Sequence, residues 1–298
     1  MLDQQIASNK RRAVFLLVAT MLLLGSVLFA AWYALTLDSA LLLPLGLFTL
    51  ISPWAAYYGS DKIVILASGA VDADTGEYAQ LHNVVEEMAL AAGLPKPRVM
   101  IVVDPAPNAF ATGRDPEHAV VAATTGLLER MDREQLQAVI AHELAHVANR
   151  DILVGTIAAS LTGLIMLVSH FALRMLAGGS GRGKKVNPVG LAIGLVGLVL
   201  APIGAALLRA AVSRRREALA DASSAALTRN PTGMRRALEA LDADSTEIRK
   251  VSHATSALWI EEPNPTQKGA VRWLTKMYAT HPPMADRIQA MRQLEAGA

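Results

Sequence analysis

The stretch AVIAHELAHVANRDILVGTIAAS, residues 138–160, joins two different patterns. Its first half has the charged, amphipathic character of a surface helix and carries His142, Glu143 and His146. Its second half is apolar enough to enter a membrane. No break signal lies between the halves, so we expect the first helix to continue directly into the second. Any fold proposed for this chain must therefore explain why a helix with side chains suited to metal binding is followed directly by an apolar helix.

The composition is that of a membrane protein rather than of an ordinary soluble domain. Of the 298 residues, 52% are hydrophobic and only 18% are charged, which favours several membrane segments beside a modest water-soluble part. The net charge of +2 gives no indication of a nucleic-acid partner. Because the chain has no cysteine, disulfides, thiolate metal ligands and a cysteine nucleophile are excluded. Any metal must be bound by nitrogen and oxygen.

Four apolar stretches are candidates to cross a bilayer core, which takes about 20 residues. They are residues 13–37, 39–58, 152–173 and 189–212. The first lacks a small-residue cleavage site and is too long for a signal-peptide core, so we interpret it as a retained helix. We expect Pro44 and Pro53 to kink the second.

The distribution of basic residues predicts the orientation, because cytoplasmic loops carry an excess of Lys and Arg. Basic residues next to the apolar stretches are found at positions 10–12, 150, 209 and 214–216. They place the N-terminus and both polar parts of the chain in the cytoplasm. Against this interpretation stand Arg182, Lys184 and Lys185, in the loop that would lie outside.

This reading divides the chain into four parts. They are an N-terminal membrane hairpin (1–60), a cytoplasmic part of mixed α and β character (61–151), a second membrane hairpin (152–212) and a cytoplasmic helical part (213–298). In the mixed part, RVMIVV and HAVVAATT predict strands, and DREQ at residues 132–135 is a capping box that begins the helix of His142. The segment DPAPNAFATGRDP between the strands combines turn residues with a short apolar centre.

His142 and His146 are four residues apart, so on a helix both rings project from one face, about one turn apart. Two imidazoles at this separation can share one tetrahedral zinc ion. Glu143 lies next to His142, placed to bind a water at the metal rather than the metal itself. The spacing therefore predicts a zinc site with a general base beside it.

A catalytic zinc needs a third protein ligand. The candidates are the remaining histidines and the acids of the C-terminal part, where SRRREALADASSAAL offers Glu217 and Asp221. Because His146 shortly precedes the third apolar stretch and Glu217 shortly follows the fourth, a hairpin of those helices would place both at one height above the membrane. This argument favours Glu217 as the ligand. The alternative is an ion pair of Glu217 with Arg214 on its own helix.

The motifs PNAFATG, HELAHVANRD, SRRREALAD and THPP follow one another in this order along the chain. Together they resemble the HtpX family of membrane-bound zinc endopeptidases, relatives of the CAAX prenyl proteases. The resemblance runs from the first apolar stretch to the end of the chain. It implies one zinc ion per chain, bound by His142, His146 and Glu217. It also implies that Asp221 orients a ligand, and we expect Arg214 to support the same group.

The residue patterns and the resemblance together give a fold class and three roles. The expected fold is a predominantly α membrane protein with four transmembrane helices and a cytoplasmic α+β zincin-like metalloprotease domain. Glu143 would take a proton from the attacking water, and His281 would donate to the oxyanion. Asn108 would bind the substrate backbone beside an edge strand, to which an extended peptide could add.

The function expected on these grounds is zinc-dependent hydrolysis of damaged or misfolded membrane proteins, as part of quality control and the stress response. The protein would cross the bacterial inner membrane several times, with its active site on the cytoplasmic side. Its partners would be the lipid bilayer and membrane-protein or unfolded polypeptide substrates, without nucleic acid; the sequence does not indicate an oligomeric state. The alternatives are an intramembrane metalloprotease and a non-catalytic membrane scaffold stabilised by zinc.

Overall fold

The computed structural model describes residues 2–34, 38–161, 214–246, 248, 258–260 and 282–297. The chain begins with two long helices, α1 (Leu2–Ala34) and α2 (Leu42–Ser68), connected through a 3-10 turn at Ser39–Leu41. α2 continues past Tyr58, where the second apolar stretch was expected to end. Two arms, Ser39–Ala55 with the 3-10 turn and Tyr57–Ser68, meet at an angle of 70° just after Pro53, in agreement with the kink predicted there. Pro44, where a kink was also predicted, lies in the first turn of α2.

In the parts of the chain that the structure describes, no single helix has both the length and the apolar character needed to cross a membrane. The two arms of α2 satisfy both criteria when they are taken together, by length and composition alone. Residues 162–213, which hold most of the third predicted span and all of the fourth, lie outside the described residues. Four transmembrane helices and the division into four parts therefore stay predictions.

A four-stranded sheet follows, formed by β1 (Val71–Asp72), β2 (Arg98–Val102), β3 (Ala109–Thr112) and β4 (Val120–Thr124) in the order β1-β2-β4-β3. β2 and β4 are parallel, whereas the two outer pairs are antiparallel. β2 and β4 confirm the two predicted strands. β3 was predicted only as a short apolar centre among turn residues, and it forms one edge of the sheet.

Gly113 explains how the chain can leave β3 so abruptly. Its φ of 136° lies in a region that favours glycine, and a Cβ there would lie 2.4 Å from the backbone oxygen of His118. No other residue fits this close approach without a shift of the backbone. The turn therefore ends β3 after four residues and lets β4 return beside it.

Helices cover one face of the sheet. α3 (Ala79–Ala91) and α5 (Arg133–Ala148) pack there, and the short α4 (Thr125–Arg130) connects β4 with α5. Alternate residues of β2 divide between the faces, so that Val99 and Ile101 join the core beneath α3 and α5. The predicted capping box is confirmed, because Asp132 accepts from the backbone N–H of Gln135 and the Gln135 side chain accepts from that of Asp132.

The opposite face of the sheet packs against the apolar helices. Met100 and Val102 of β2 point to this side, where they belong to one buried cluster with Leu16 of α1. The same cluster includes Ile157 of the short apolar helix α6 (Asp151–Leu161). Both faces of the sheet are therefore buried, and α1 is packed into the domain that carries the histidines.

The helix of the two histidines does not run on into the apolar helix as expected. α5 ends at Ala148, and Arg150 adopts a left-handed backbone with φ of 56° before α6 begins at Asp151. A left-handed residue reverses the local helical path and costs about 1–2 kcal/mol for a residue with a Cβ. The expectation of an uninterrupted helix is therefore wrong, and the break turns Asp151 back toward His146.

The C-terminal part contributes three helices among the described residues: α7 (Arg214–Thr228), α8 (Pro231–Ala243) and α9 (Met284–Gly297). α7 lies along α5, and the Ser224 hydroxyl donates to the carbonyl of Ala138 over 2.6 Å. α8 packs against both α5 and α9. This arrangement brings α7 and α9 to the side of α5 that carries His142.

Candidate metal centre

Three potential metal ligands converge from α5 and α7. The Nε2 atoms of His142 and His146 lie 3.2 Å apart, as their positions one helical turn apart allow. The Glu217 carboxylate approaches them from α7, with one oxygen 3.7 Å from Nε2 of His142 and the other 3.6 Å from Nε2 of His146. His142 and Glu217 are buried, and His146 is mostly so. The sequence-predicted ligand set is thus brought together in one place.

These distances fit a tetrahedral metal ion. Zinc bonds of about 2.0–2.1 Å to nitrogen and oxygen separate two tetrahedral donors by about 3.4 Å. The two Nε2 atoms are 3.2 Å apart, and each of them lies 3.6 or 3.7 Å from a different oxygen of Glu217, which is close to that value. One oxygen from Glu217 and one nitrogen from each histidine all lie within 4.8 Å of one another. Two imidazoles and one carboxylate are also a ligand set of catalytic zinc sites, which leave one position open. The residues present therefore fit such an ion.

The ring of His142 is backed by a buried ion pair. Asp221, one turn after Glu217 on α7, places Oδ1 2.9 Å from Nδ1 of His142, although the alignment falls short of ideal hydrogen-bond geometry. Arg287 of α9 donates to both oxygens of Asp221 over 2.7 and 2.8 Å. Burial opposes the charge of Asp221, but Arg287 outweighs it and lowers the pKa of Asp221 to about 2. Asp221 is therefore an anion that directs Nε2 of His142 toward the other two potential ligands.

The ring of His146 is backed by a second carboxylate. Oδ2 of Asp151 lies 3.3 Å from Nδ1 of His146. Burial disfavours the charged ring, but the hydrogen bond to Asp151 and the charge of Glu217 outweigh it and raise the pKa of His146 to about 9. Each imidazole thus has a carboxylate on the side away from the shared Nε2 atoms.

Glu143 is buried beside the three potential ligands and does not belong to the cluster that their donor atoms form. Burial raises the pKa of its carboxyl group, although the neighbouring His142 and His146 and a hydrogen bond from the backbone N–H of Ala111 act in the opposite direction. A carboxyl group with a raised pKa is suited to accept and return a proton near neutral pH. The contact with Ala111 also places the edge strand β3 directly against this group.

Asn108 immediately precedes β3 and is buried at the start of the strand. Its backbone N–H donates to the hydroxyl of Thr124, and its carbonyl accepts from the backbone N–H of Thr124, both over 2.9 Å. Its side-chain oxygen accepts from the N–H of Ala109. The carbonyl of Ala109 accepts from the backbone N–H of Ile260 over 2.9 Å. The outer groups of β3 therefore face away from β4, toward the site.

Two predicted residues cannot be placed beside the ligands. His281 lies outside the described residues. Arg214 begins α7, but its side chain is likewise outside what the structure describes. Their expected roles stay predictions.

The sequence analysis missed two residues that hold the site. Asp151 is the last residue of the HELAHVANRD motif, yet we expected it inside a continuous helix. Arg287 lies on α9 among residues that pack into the core, such as Ile288 and Met291. An arginine in such a position was the available signal, because a buried arginine requires a carboxylate partner.

Comparisons with known proteins identify the family. The model of peptidase family M48 matches residues 76–295. A protein named protease HtpX homolog from Caldanaerobacter subterraneus subsp. tengcongensis is 43% identical over 295 residues, which are 97% of this chain and 96% of that protein. A protein of the same name from Streptococcus gordonii is 43% identical over 307 residues, covering 99% of this chain and 100% of that one.

Among solved structures, the crystal structure of S. mikatae Ste24p has a TM-score of 0.49 at 18% identity, covering 97% of this chain and 66% of that one. A likeness of this size adds nothing to the family assignment. The assignment follows from the family model, which spans most of the chain, and from relatives that match nearly all of it. The resemblance to the HtpX family is confirmed, and the chain is a metallopeptidase that belongs to peptidase family M48.

Proposed function

We propose that the protein is a zinc-dependent endopeptidase with His142, His146 and Glu217 as metal ligands and Glu143 as general base. The observation that carries this proposal is the convergence of the two Nε2 atoms, 3.2 Å apart, with the Glu217 carboxylate, whose two oxygens lie 3.6 and 3.7 Å from them. These separations are close to those of the donors in a tetrahedral zinc site. A bound zinc ion supplies a Lewis acid that polarises the scissile carbonyl and makes water more acidic. The metal is zinc in this proposal because nitrogen and carboxylate ligands in tetrahedral arrangement suit that ion.

The chain's own residues perform the proton transfers. Glu143 accepts the proton of the attacking water and returns it to the leaving amine. Its burial supports the return step, because burial raises the pKa and makes the protonated form easier to reach. His281 as the oxyanion donor is a part of the proposal that rests on the family resemblance alone.

The substrate binds as an extended peptide along the outer edge of β3. The arrangement of the backbone supports this mode, because the N–H of Ala111 and the carbonyl of Ala109 both point away from β4. Asn108 holds the start of the edge through its bond to the N–H of Ala109. A substrate strand that pairs with Ala109 takes the place of the backbone N–H of Ile260.

We place the protein in the bacterial cell membrane, with damaged or misfolded membrane proteins as substrates and the active site on the cytoplasmic side. Large exposed apolar side chains on α1 and α2 support the membrane location, since soluble proteins rarely expose such surfaces. They include Phe15, Leu22, Tyr33, Leu43, Trp54 and Tyr58. The basic residues at positions 10–12 support the cytoplasmic side.

The alternative of a non-catalytic zinc scaffold receives no support. A structural zinc site has four protein ligands and no use for a base beside them. Among the residues that the structure describes, three potential ligands converge, and Glu143 lies next to them without joining the cluster. The membership in a peptidase family points the same way.

The deciding experiment compares metal content and peptidase activity of the purified protein and two variants. Glu143→Gln should retain about one zinc per chain and lose most of the activity, because an amide cannot accept the proton. Glu217→Ala should lose zinc as well as activity. The exposed Glu86, which pairs with Lys96 on the protein surface, provides the control Glu86→Gln, which should behave as the wild type. Near wild-type activity of Glu143→Gln would refute the role of the base, and full zinc content of Glu217→Ala would refute the ligand set.

A further inference from the structure

The N-terminal end of α1 is bonded to the segment that follows the two histidines. Asn9 is 1% exposed, and its side-chain nitrogen donates to Oδ1 of Asp151 over 2.6 Å and to the carbonyl of Asn149 over 3.0 Å. A carboxylate only accepts hydrogen bonds, so the nitrogen of the amide must be the atom that faces Asp151. This contact joins residues 142 positions apart in the sequence.

Asp151 carries the contact on to the metal centre. Oδ1 receives the hydrogen bond of Asn9, and Oδ2 lies 3.3 Å from Nδ1 of His146. Arg216 of α7 adds a weaker charge contact, with 3.6 Å between Nη1 and Oδ1. Because the carboxylate is 6% exposed, little water competes with these partners. One small group thus joins α1, α7 and the ring of His146.

The packing of α1 gives Asn9 a fixed position. Ala13 and Leu16, one and two turns further along α1, are buried in one cluster with Leu153 and Ile157 of α6. An amide that is bonded to Asp151 from a packed helix restricts the carboxylate more than a mobile surface group could. The left-handed backbone of Arg150 completes the arrangement, because it lets Asp151 face back toward α5.

The support of the second histidine differs from that of the first. Asp221 behind His142 is held by Arg287, so that all three residues belong to the C-terminal helices and α5. Asp151 behind His146 is held by a residue of α1, the helix of the first apolar stretch. A carboxylate that orients a ligating histidine acts on metal affinity through that histidine.

We propose that Asn9 is a positioning residue of the metal centre, which fixes Asp151 and through it the ring of His146. The apolar helix α1 then helps to position a metal ligand, in addition to its proposed place in the membrane. The inference rests on the proposed function in one respect only, namely that His146 is a metal ligand.

The test measures the zinc dissociation constant by competition with a chromophoric chelator, together with thermal unfolding of the metal-free protein. Asn9→Leu keeps the volume and removes the donor, so it should weaken zinc binding by about 10-fold or more, within the range found when the support of a metal ligand is lost. Asn9→Ser, too short to reach Asp151, should give the same loss and serves if the leucine variant does not fold. Lys10→Ala, exposed on the next position of α1, and Thr20→Val, buried further along it, are controls that should retain wild-type affinity.

A double-mutant cycle separates positioning from general damage to the fold. Because Asn9 acts through Asp151, the variant with both Asn9→Leu and Asp151→Asn should bind zinc no more weakly than Asp151→Asn alone. Additive losses, or wild-type affinity in Asn9→Leu and Asn9→Ser while Asp151→Asn is weakened, would overturn the proposal. Failure of the proposed function has a different signature, since His146→Ala would then retain full zinc affinity.

Discussion

At the scale of single residues, the site depends on two buried carboxylates that lie behind the histidines. Asp221 is the more strongly held, since Arg287 binds both of its oxygens and both side chains are 2% exposed. The guanidinium also donates to the carbonyl of Ile260 over 3.0 Å. The backbone N–H of the same Ile260 donates to the carbonyl of Ala109 in β3. Arg287 thereby connects the metal centre with the edge where we place the substrate.

Replacing Arg287 should therefore damage stability as well as the site. Arg287→Ala leaves the carboxylate of Asp221 buried without its cation, which should lower the free energy of unfolding by about 3–5 kcal/mol. The matched control is Arg292→Ala on the same helix, whose pair with Glu239 is 2.9 Å long but whose side chain is 65% exposed. An exposed pair contributes about 0–1 kcal/mol. Urea unfolding of both variants tests the difference, and equal losses would contradict it.

The hydroxyl of Thr124 gives a second prediction at this scale. It accepts from the N–H of Asn108 and of Leu127 and donates to the carbonyl of Ala106, so it ties the start of β3 to the start of α4. Thr124→Val removes a helix cap and leaves buried backbone groups unbonded, which should lower the free energy of unfolding by about 2–4 kcal/mol.

The same change should act on substrate binding. Because Asn108 loses its anchor, the edge of β3 becomes less well positioned, and KM for a peptide substrate should rise more than kcat falls. Thr246→Val, at an exposed position, is the control and should leave both constants unchanged. If KM of the Thr124 variant equals that of the wild type, Asn108 and the start of β3 do not position the substrate.

At the scale of elements, the break between α5 and α6 depends on a left-handed residue that the sequence does not indicate. The left-handed φ of 56° at Arg150 is unfavourable for a residue with a Cβ and lowers the stability of the fold. Ala148, two positions earlier, is an ordinary helical residue. Glycine should therefore have opposite effects at the two sites. Arg150→Gly should raise the free energy of unfolding by up to about 1 kcal/mol, and Ala148→Gly should lower it by a similar amount. A loss in both variants would show that α5 continues through Arg150 in solution.

The elements also show which features a sequence can predict. The pairing of His142 with His146, the capping box at Asp132 and strands β2 and β4 follow from local spacing and pattern, and the structure agrees with them. β3 has only four residues and no alternation of polar and apolar side chains, because all four are buried. The left-handed turn at Arg150 has no glycine or asparagine at the position itself to announce it.

Contacts between distant parts of the chain were the hardest to foresee. Glu217 could be chosen because the two apolar stretches between His146 and Glu217 predict a common height for both residues. Nothing local marks Asn9 as a partner of Asp151, and the position of Arg287 among apolar residues does not indicate that its partner is Asp221. Their roles arise from packing, which brings α1 next to Asp151 and α9 next to Asp221. The role of a polar residue that becomes buried on folding depends on the hydrogen-bond partner that it contacts in the folded protein.

At the scale of the whole molecule, the proposed metal centre would act as a crosslink. Its ligands come from α5 and α7, which are separated in the chain by the second pair of apolar stretches. The carboxylates behind the histidines extend the connection to α1 and α9. A bound ion would therefore connect α5 directly with α7, while Asp151 and Asp221 link α1 and α9 to its histidine ligands.

Metal removal should for this reason destabilise the entire protein rather than the site alone. An ion that binds only the folded state stabilises it by about 2.7 kcal/mol when its free concentration is one hundred times Kd. Treatment with a chelator should lower Tm by several degrees, and zinc should restore it.

In Glu217→Ala the ion can no longer connect α7 with α5, so Tm should be nearly the same with and without the chelator. Glu143→Gln is the matched comparison, because it keeps all three ligands and should show the full zinc-dependent shift. An equally large shift in the Glu217→Ala variant would mean that α7 is not part of the metal centre, and the crosslink between the two halves would have to be abandoned.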